Sequence, residues 1–247
     1  MKLFEALANT QERREIRNSV RALCDRFDDG YWAEKDRLHE FPHEFSEAVA
    51  AGGWLGIAMP RQFGGAGLGV TEAAIMMQEV GRSAGAFAAC STIHINIFGL
   101  HSIVKHGTDR QRAEWLPSII NGQSRACFGV SEADAGLDTS KISTKAERSG
   151  DVYVVSGQKI WTSTAQQADK IVLLARTMPL DQCVRPTDGL TLFYEPTSIA
   201  LRSRSTKSRK WAGTPSIPIS SSSTILSYLS SGASARKERA FITSSTA

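Results

Sequence analysis

A chain of 247 residues, 41% hydrophobic and 22% charged, can bury a sizeable core and can divide into two domains. Its formal net charge of +4 is unevenly placed: residues 195–247 carry eight Lys/Arg and two Asp/Glu, residues 1–194 twenty-one and twenty-three. The body is thus mildly acidic, the basic excess belongs to the tail, and neither calls for a nucleic-acid partner.

No apolar run approaches the roughly 18–20 residues of a membrane span, so none is expected. The opening M-K-L-F-E-A-L-A-N-T-Q-E-R has no long apolar core and no small-residue cleavage site, so a cytoplasmic setting is expected rather than secretion. Cys24, Cys90, Cys127 and Cys183 are scattered without a C-x-x-C pair, as expected of reduced thiols.

In chain order, the first 120 residues read as helices. Ile16, Val20, Leu23 and Phe27 share one face of a helix that is otherwise rich in Arg and Glu. Pro42 before H-E-F-S-E-A-V-A-A, with Gly52 after it, brackets a second helix. Ala73, Met76, Met77 and Val80 form a third stripe that ends near Gly81. Ile93, Ile97, Leu100 and Val104 form a fourth, stopped at Gly107. Asp109 can cap R-Q-R-A-E-W-L, with Pro117 soon after. The methionines read as packing, and G-G-A-G-L-G at Gly64–Gly69 fails the dinucleotide fingerprint at its third glycine. A flexible interhelical turn is the better reading there. His94, His101 and His106 make no metal-ligand set, and no metal is expected.

After about Gln123 the period shortens. A-C-F-G-V, V-Y-V-V, I-V-L-L-A (Ile171–Ala175) and L-T-L-F-Y (Leu190–Tyr194) are short and rich in strand formers. Helices followed by strands predict an α+β fold: an all-helical domain over 1–122, then an antiparallel β domain over 123–194. Residues 195–247 hold fifteen serines and neither His nor Asp, without an apolar period; a Ser-rich, disordered tail is expected.

Within the β region, Ala126–Asp138 runs A-C-F-G-V-S-E-A-D-A-G-L-D, answered by S-G-Q-K-I-W-T-S at Ser156–Ser163. An apolar strand ending in a hydroxyl, an acid and a glycine turn, beside a strand bearing an indole, could hold a flat ring with a polar rim.

Four segments now carry a resemblance. They are G-W-L-G-I-A-M-P-R-Q-F-G-G-A-G-L-G (Gly53–Gly69), H-G-T-D-R-Q-R-A-E-W-L-P (His106–Pro117), S-E-A-D-A-G-L-D (Ser131–Asp138) and K-I-W-T-S (Lys159–Ser163). In this order and spacing the chain resembles the acyl-CoA dehydrogenase family from near its N-terminus to about Tyr194. The resemblance implies a helical domain, a β domain and a C-terminal four-helix bundle, with FAD between β domain and bundle. It implies cofactor contacts from Phe128, Gly129, Val130, Ser131, Glu132, Ala135, Gly136, Trp161, Thr162 and Ser163. Trp161 would cover one face of the flavin, and Ser163 would offer a hydroxyl near its reactive nitrogen. Leu137 stands where the family usually has Ser on the flavin and acyl-CoA side, which puts substrate affinity in question.

The implied activity is dehydrogenation of an acyl-CoA to a trans-2-enoyl-CoA, with electrons passing to an electron-transfer flavoprotein and a homotetramer as the full-length assembly. An acyl-CoA oxidase-like flavoenzyme, and a non-catalytic fragment binding acyl-CoA or a partner, are the alternatives. The family's catalytic glutamate lies in the bundle, so no catalytic base is nominated here; Glu132, inside the turn, is a poor candidate. A bundle is not legible in residues 195–247. Back-translated with free codon choice and read two bases later, Thr206–Ile219 permits E-I-E-K-M-G-R-H-A-V-D-S-N. The same offset permits T-D-L-D-R from Glu195 to Ala200 and V-G-E-E-G-K-G-F-H-Y-I-L-H-S from Ala233 to Ala247. These resemble the family's continuation. The expectation is a frameshift near Tyr194, an out-of-frame tail, and a truncated, inactive product.

Overall fold

The computed structural model describes residues 10–150 and 152–197, and the backbone of three further segments at 224–228, 234–236 and 240–242. It divides into two units. One takes in the described residues up to His101 together with Ala113–Gln123; the other takes in Ser102–Arg112 and the strands.

In the first unit, α1 (Gln11–Cys24) starts at Thr10, whose side chain accepts from Arg13 N, and buries Ile16, Val20 and Cys24. Phe27 is buried beyond the helix end, where it meets Phe45 edge-on at 5.4 Å. The sequence reading did not anticipate α2 (Asp29–Leu38). Asp28 caps it by accepting from Tyr31 N, but none of its residues is fully buried, so it leaves no apolar stripe. Helix α3 (His43–Ala51) places Phe45 and Val49 in the core, and α4 (Val70–Arg82) adds Ala73, Ile75, Met76 and Val80.

The arginines of α1 are more than a solvated face. Arg17 and Arg21 both reach Glu79 on α4, at 2.6 and 2.9 Å, and Arg13 reaches Glu72 at 2.8 Å. Four-residue spacing aligns the three guanidiniums on one face. Burial raises the Glu79 carboxyl, but the hydrogen bonds from Arg17 and Arg21 outweigh it and leave its pKa below the ordinary value.

The glycine-rich segment is a tied loop rather than a loose turn. Gly65, Ala66, Gly67 and Leu68 donate their N–H groups to carbonyls of Pro60, Gly56, Met59 and Ile57. A side chain at Gly65 would collide with the Met59 backbone, so the glycine permits close chain approach.

Helix α5 (Ala86–His94) widens into a π-turn at Ile95–Gly99 before α6 (His101–His106). The extra residue in that turn swings Val104 off the expected stripe to half-burial, and Ile103 is the buried residue of α6. Ala86–His106 is a 21-residue helical stretch long and apolar enough to cross a membrane by length and composition, which corrects the expectation that no segment reaches that mark. Its Ala89, Ile93, Ile97, Leu100 and Ile103 are buried, and 33% of its most apolar window is buried in all. In α7 (Asp109–Ile120) the cap is Thr108, not Asp109: Thr108 Oγ1 accepts from Gln111 N and Gln111 Oε1 accepts from Thr108 N, a reciprocal capping box. Pro117 lies inside this helix; Leu116 and Ile119, both wholly buried, hold the turn that the proline weakens.

The second unit is built on one mixed sheet. Strands β1 (Ala126–Gly129), β2 (Lys145–Ser149), β3 (Val152–Thr162), β4 (Lys170–Arg176) and β5 (Leu190–Pro196) come from the continuous chain. The backbone segments β6 (Thr224–Tyr228), β7 (Ser234–Arg236) and β8 (Ala240–Ile242) pair with β3, β3 and β5. The order is β6-β3-β2-β4-β5-β8; most pairs are antiparallel, while β1 and β2 each meet β4 in parallel. Apart from these strands and residues 195–197, the Ser-rich tail expectation falls outside the described residues. Cys127, Ala146, Val155, Ile171, Leu173, Ala175 and Phe193 form the core, and all four cysteines are free thiols.

Candidate functional site

The segments singled out in the sequence meet at the end of β1. Strand β1 is bonded by β4 on one edge, and among the described strands nothing pairs its other edge. The chain then turns: Glu132 N donates to Ala135 O at 3.0 Å, and Ala135 N returns a bond to Glu132 O at 3.3 Å. Ala135 is buried beneath this turn, Gly136 is exposed with open space where a Cβ would stand, and Leu137 is fully exposed. Asp138 closes the turn by accepting from Ser140 N, the start of a short 3-10 helix at Thr139–Lys141.

The answering strand lies against this turn. Ile160 N donates to Ser131 O at 2.9 Å, which fixes the end of β3 beside it. Gly157 is what lets β3 come so near Thr144, immediately before β2. Its φ is 150°, and a Cβ there would stand 2.6 Å from Thr144 Cα. The V-Y-V-V and K-I-W-T segments, separate in the sequence reading, are one strand running through this glycine.

Trp161 follows with φ at +59°, a left-handed conformation that bulky L-residues rarely adopt, at an irregularity in the pairing of β3 with β6. Its indole is 65% exposed, against 7% for Trp115 in the core. Thr162 is wholly buried, its Oγ1 without a partner among the described residues; Ser163 is half-buried. Phe128, Val130 and Ser131 are also half-buried, and Gly129 is buried where a Cβ would press on Ile171 and Leu173.

Glu132 is placed differently from a ligand-facing acid. It is 6% exposed, and both oxygens are occupied by protein donors. Oε1 accepts from Lys159 Nζ at 2.8 Å and Thr144 N at 2.9 Å; Oε2 accepts from Ser143 N and Ser143 Oγ, each at 2.7 Å. Burial pushes its carboxyl up, but the bonds from Lys159, Thr144 and Ser143 outweigh burial and hold the pKa down to about 2. Lys159 is wholly buried and also donates to Val130 O at 3.0 Å. Desolvation lowers its pKa, and the bond to Glu132 offsets part of that fall. Lys159, Ser143 and Thr144 were not singled out in the sequence as site residues. A buried lysine facing a turn acid across 27 residues leaves no local pattern.

The site therefore presents an exposed indole and a glycine turn, with a buried ion pair holding Val130 O and Glu132 of that turn. Among the described residues no group of three or more His, Cys, Asp or Glu could hold a metal ion.

Comparison with known proteins agrees with this architecture. Residues 10–123 match the acyl-CoA dehydrogenase N-terminal domain model, and residues 127–220 the middle domain model. The chain is 31% identical over 199 residues to acyl-CoA dehydrogenase FadE12 of Mycobacterium tuberculosis, covering 78% of this chain and 51% of that protein. Over 187 residues it is 32% identical to mitochondrial isovaleryl-CoA dehydrogenase of Pongo abelii, covering 74% of this chain and 43% of the other. Among solved structures, the acyl-CoA dehydrogenase of Geobacillus kaustophilus superposes with a TM-score of 0.80 at 21% identity, over 94% of this chain and 58% of that one. The chain thus spans about half the length of the curated relatives it matches. With its N-terminal and middle domain models matched in order, the chain belongs to the acyl-CoA dehydrogenase family.

Proposed function

We propose that this chain supplies the flavin-holding β domain and the helical domain of an FAD-dependent acyl-CoA dehydrogenase. The observation that carries the reading is Trp161: a large indole held out to solvent on strained backbone, one residue after Ile160, which bonds the Ser131 turn. Strain of this kind costs on the order of 1–3 kcal/mol and persists where the surroundings enforce it. In this reading the indole covers one face of the ring and excludes water. Main-chain groups of Phe128–Ser131 address its polar rim, and Gly136 lets it approach closely. Bound FAD would supply the hydride acceptor for oxidation of the acyl Cα–Cβ bond, giving a 2-enoyl thioester.

Glu132 does not supply the base. With four donors on its oxygens and a pKa of about 2, its carboxylate has neither the reach nor the affinity to remove an α-proton. The chain's part is to bind, orient and shield, with the base coming from a C-terminal bundle as the family resemblance implies. The exposed Leu137, in place of a hydroxyl, supports weaker hold on the acyl-CoA side. An electron-transfer flavoprotein as acceptor, a tetramer for the whole assembly and a cytoplasmic setting belong to the same reading. The test is the visible spectrum of the purified full chain with added FAD, followed by dye reduction with acyl-CoAs of several lengths. Bound flavin with ordered absorbance bands supports the proposal, and a chain that takes up no FAD sinks it. Turnover without any added partner would show that a base exists within this chain after all.

A further inference from the structure

We propose that the buried Glu132–Lys159 pair is the positioning clamp of the flavin cradle: neither residue touches the cofactor, and together they hold Trp161 and the Val130–Glu132 turn in the geometry that receives it. This deepens the functional reading above and rests on it.

The pair joins three separate stretches of chain. Lys159 Nζ bridges Val130 O and Glu132 Oε1, while Glu132 also gathers the N–H groups of Ser143 and Thr144 and the Ser143 hydroxyl. Lys159 lies two residues before Trp161, and Ile160 between them is bonded to Ser131 O. The strand is thereby held immediately upstream of its strained residue. Downstream, Thr162 is wholly buried and pairs with Thr224 of β6. A tryptophan released from the left-handed region would relax into extended backbone, and its side chain would leave its present direction.

Stability alone is a weak reason for such a pair. Replacing a buried ion pair by apolar groups of similar volume is often neutral or stabilising, because desolvation cancels much of the attraction. What an apolar replacement cannot do is hold Val130 O, Ser143 and Thr144 on one point. The pair thus provides definition of geometry, the quality a binding cradle requires of the residues behind it.

The test uses the full chain, the double variant Glu132→Gln/Lys159→Met, and Trp161→Ala. Subtracting the near-UV circular dichroism of Trp161→Ala from that of the parent isolates the Trp161 band among the five tryptophans. The double variant should melt close to the parent, lose the Trp161 band, and bind FAD about tenfold more weakly, equivalent to about 1.4 kcal/mol. A double variant that keeps both the band and the parent's FAD affinity would mean that the pair is only structural, and overturns the proposal. If the double variant does not fold, Ser143→Ala carries the test, since it deletes a single hydroxyl donor to Glu132. About threefold weaker FAD binding at an unchanged melting temperature supports the clamp, and unchanged binding overturns it. Should the parent itself bind no FAD, the functional reading fails, and the Trp161 band still decides the clamp by its loss or survival.

Discussion

Trp161 keeps a φ of +59° on an exposed indole, so the folded chain bears the strain and recovers little of it through burial of the side chain. Glycine adopts that conformation freely, although it also adds entropy to the unfolded state. Trp161→Gly should therefore be as stable as the parent or up to about 1 kcal/mol more so, measured by urea denaturation, and should lose FAD binding. A variant that loses stability by more than that would show the indole to be structural. Glu132 allows a second residue-level prediction. Its folded carboxyl is lowered from 4.5 to about 2, so its contribution is complete above about pH 4.5 and drains away as pH falls toward 2. Between about pH 5 and about pH 3 the parent should lose more stability than Glu132→Gln, in paired urea melts. Equal losses would mean that the carboxylate is not held by its donors. In the sequence both residues stood in recognisable motifs, but their roles did not. The turn acid read as one more ligand contact because its lysine partner is 27 residues away, beyond any local pattern.

At the scale of elements, Gly157 decides whether β3 can lie where the site needs it. A methyl group there would press into Thr144, whose amide is one of the donors to Glu132. With φ at 150° the position is also strained for any other residue. Gly157→Ala should therefore cost about 3 kcal/mol, through overpacking and backbone strain together. Through Thr144 it should weaken FAD binding too. Urea denaturation reads the first effect and FAD titration the second; a loss below about 1 kcal/mol would show that the loop yields easily. Apolar spacing made α1, α3 and α4 legible, since Ile16, Phe45 and Met76 recur on faces that the core covers. It could not reveal α2, which buries no whole residue, nor the π-turn that displaces Val104. Pro117 and Asp109 misled for a local reason. The cap lies one residue earlier at Thr108, and packing of Leu116 and Ile119 outweighs the single hydrogen bond that a proline removes.

At the scale of the whole molecule, the composition of the chain changes abruptly after the β strands that carry the site. The two relatives described above align with 78% and 74% of this chain, yet represent only 51% and 43% of their own lengths. The middle domain model, by contrast, runs on to residue 220. Residues 195–247 carry the whole basic excess and fifteen serines, a composition unlike that of the preceding body. Three separate segments of that tail permit family-like sequence at one constant offset of two bases. We propose a frameshift near the Tyr194 codon, which would account for all three at once and for the change in charge. The coding DNA decides it. Resequencing across Tyr194 should give a shifted frame that stays open and encodes E-I-E-K-M-G-R-H-A-V-D-S-N, then further residues with the apolar period of a helical bundle. Early stop codons in that frame, or an open frame without helical periodicity, would end the idea. If the frame is restored, the expressed protein should bind FAD more tightly than the present chain and dehydrogenate acyl-CoAs faster, through the C-terminal bundle and base that the family resemblance implies. A restored protein with the same FAD affinity as the present chain would mean that this β domain already holds the flavin without that domain's help.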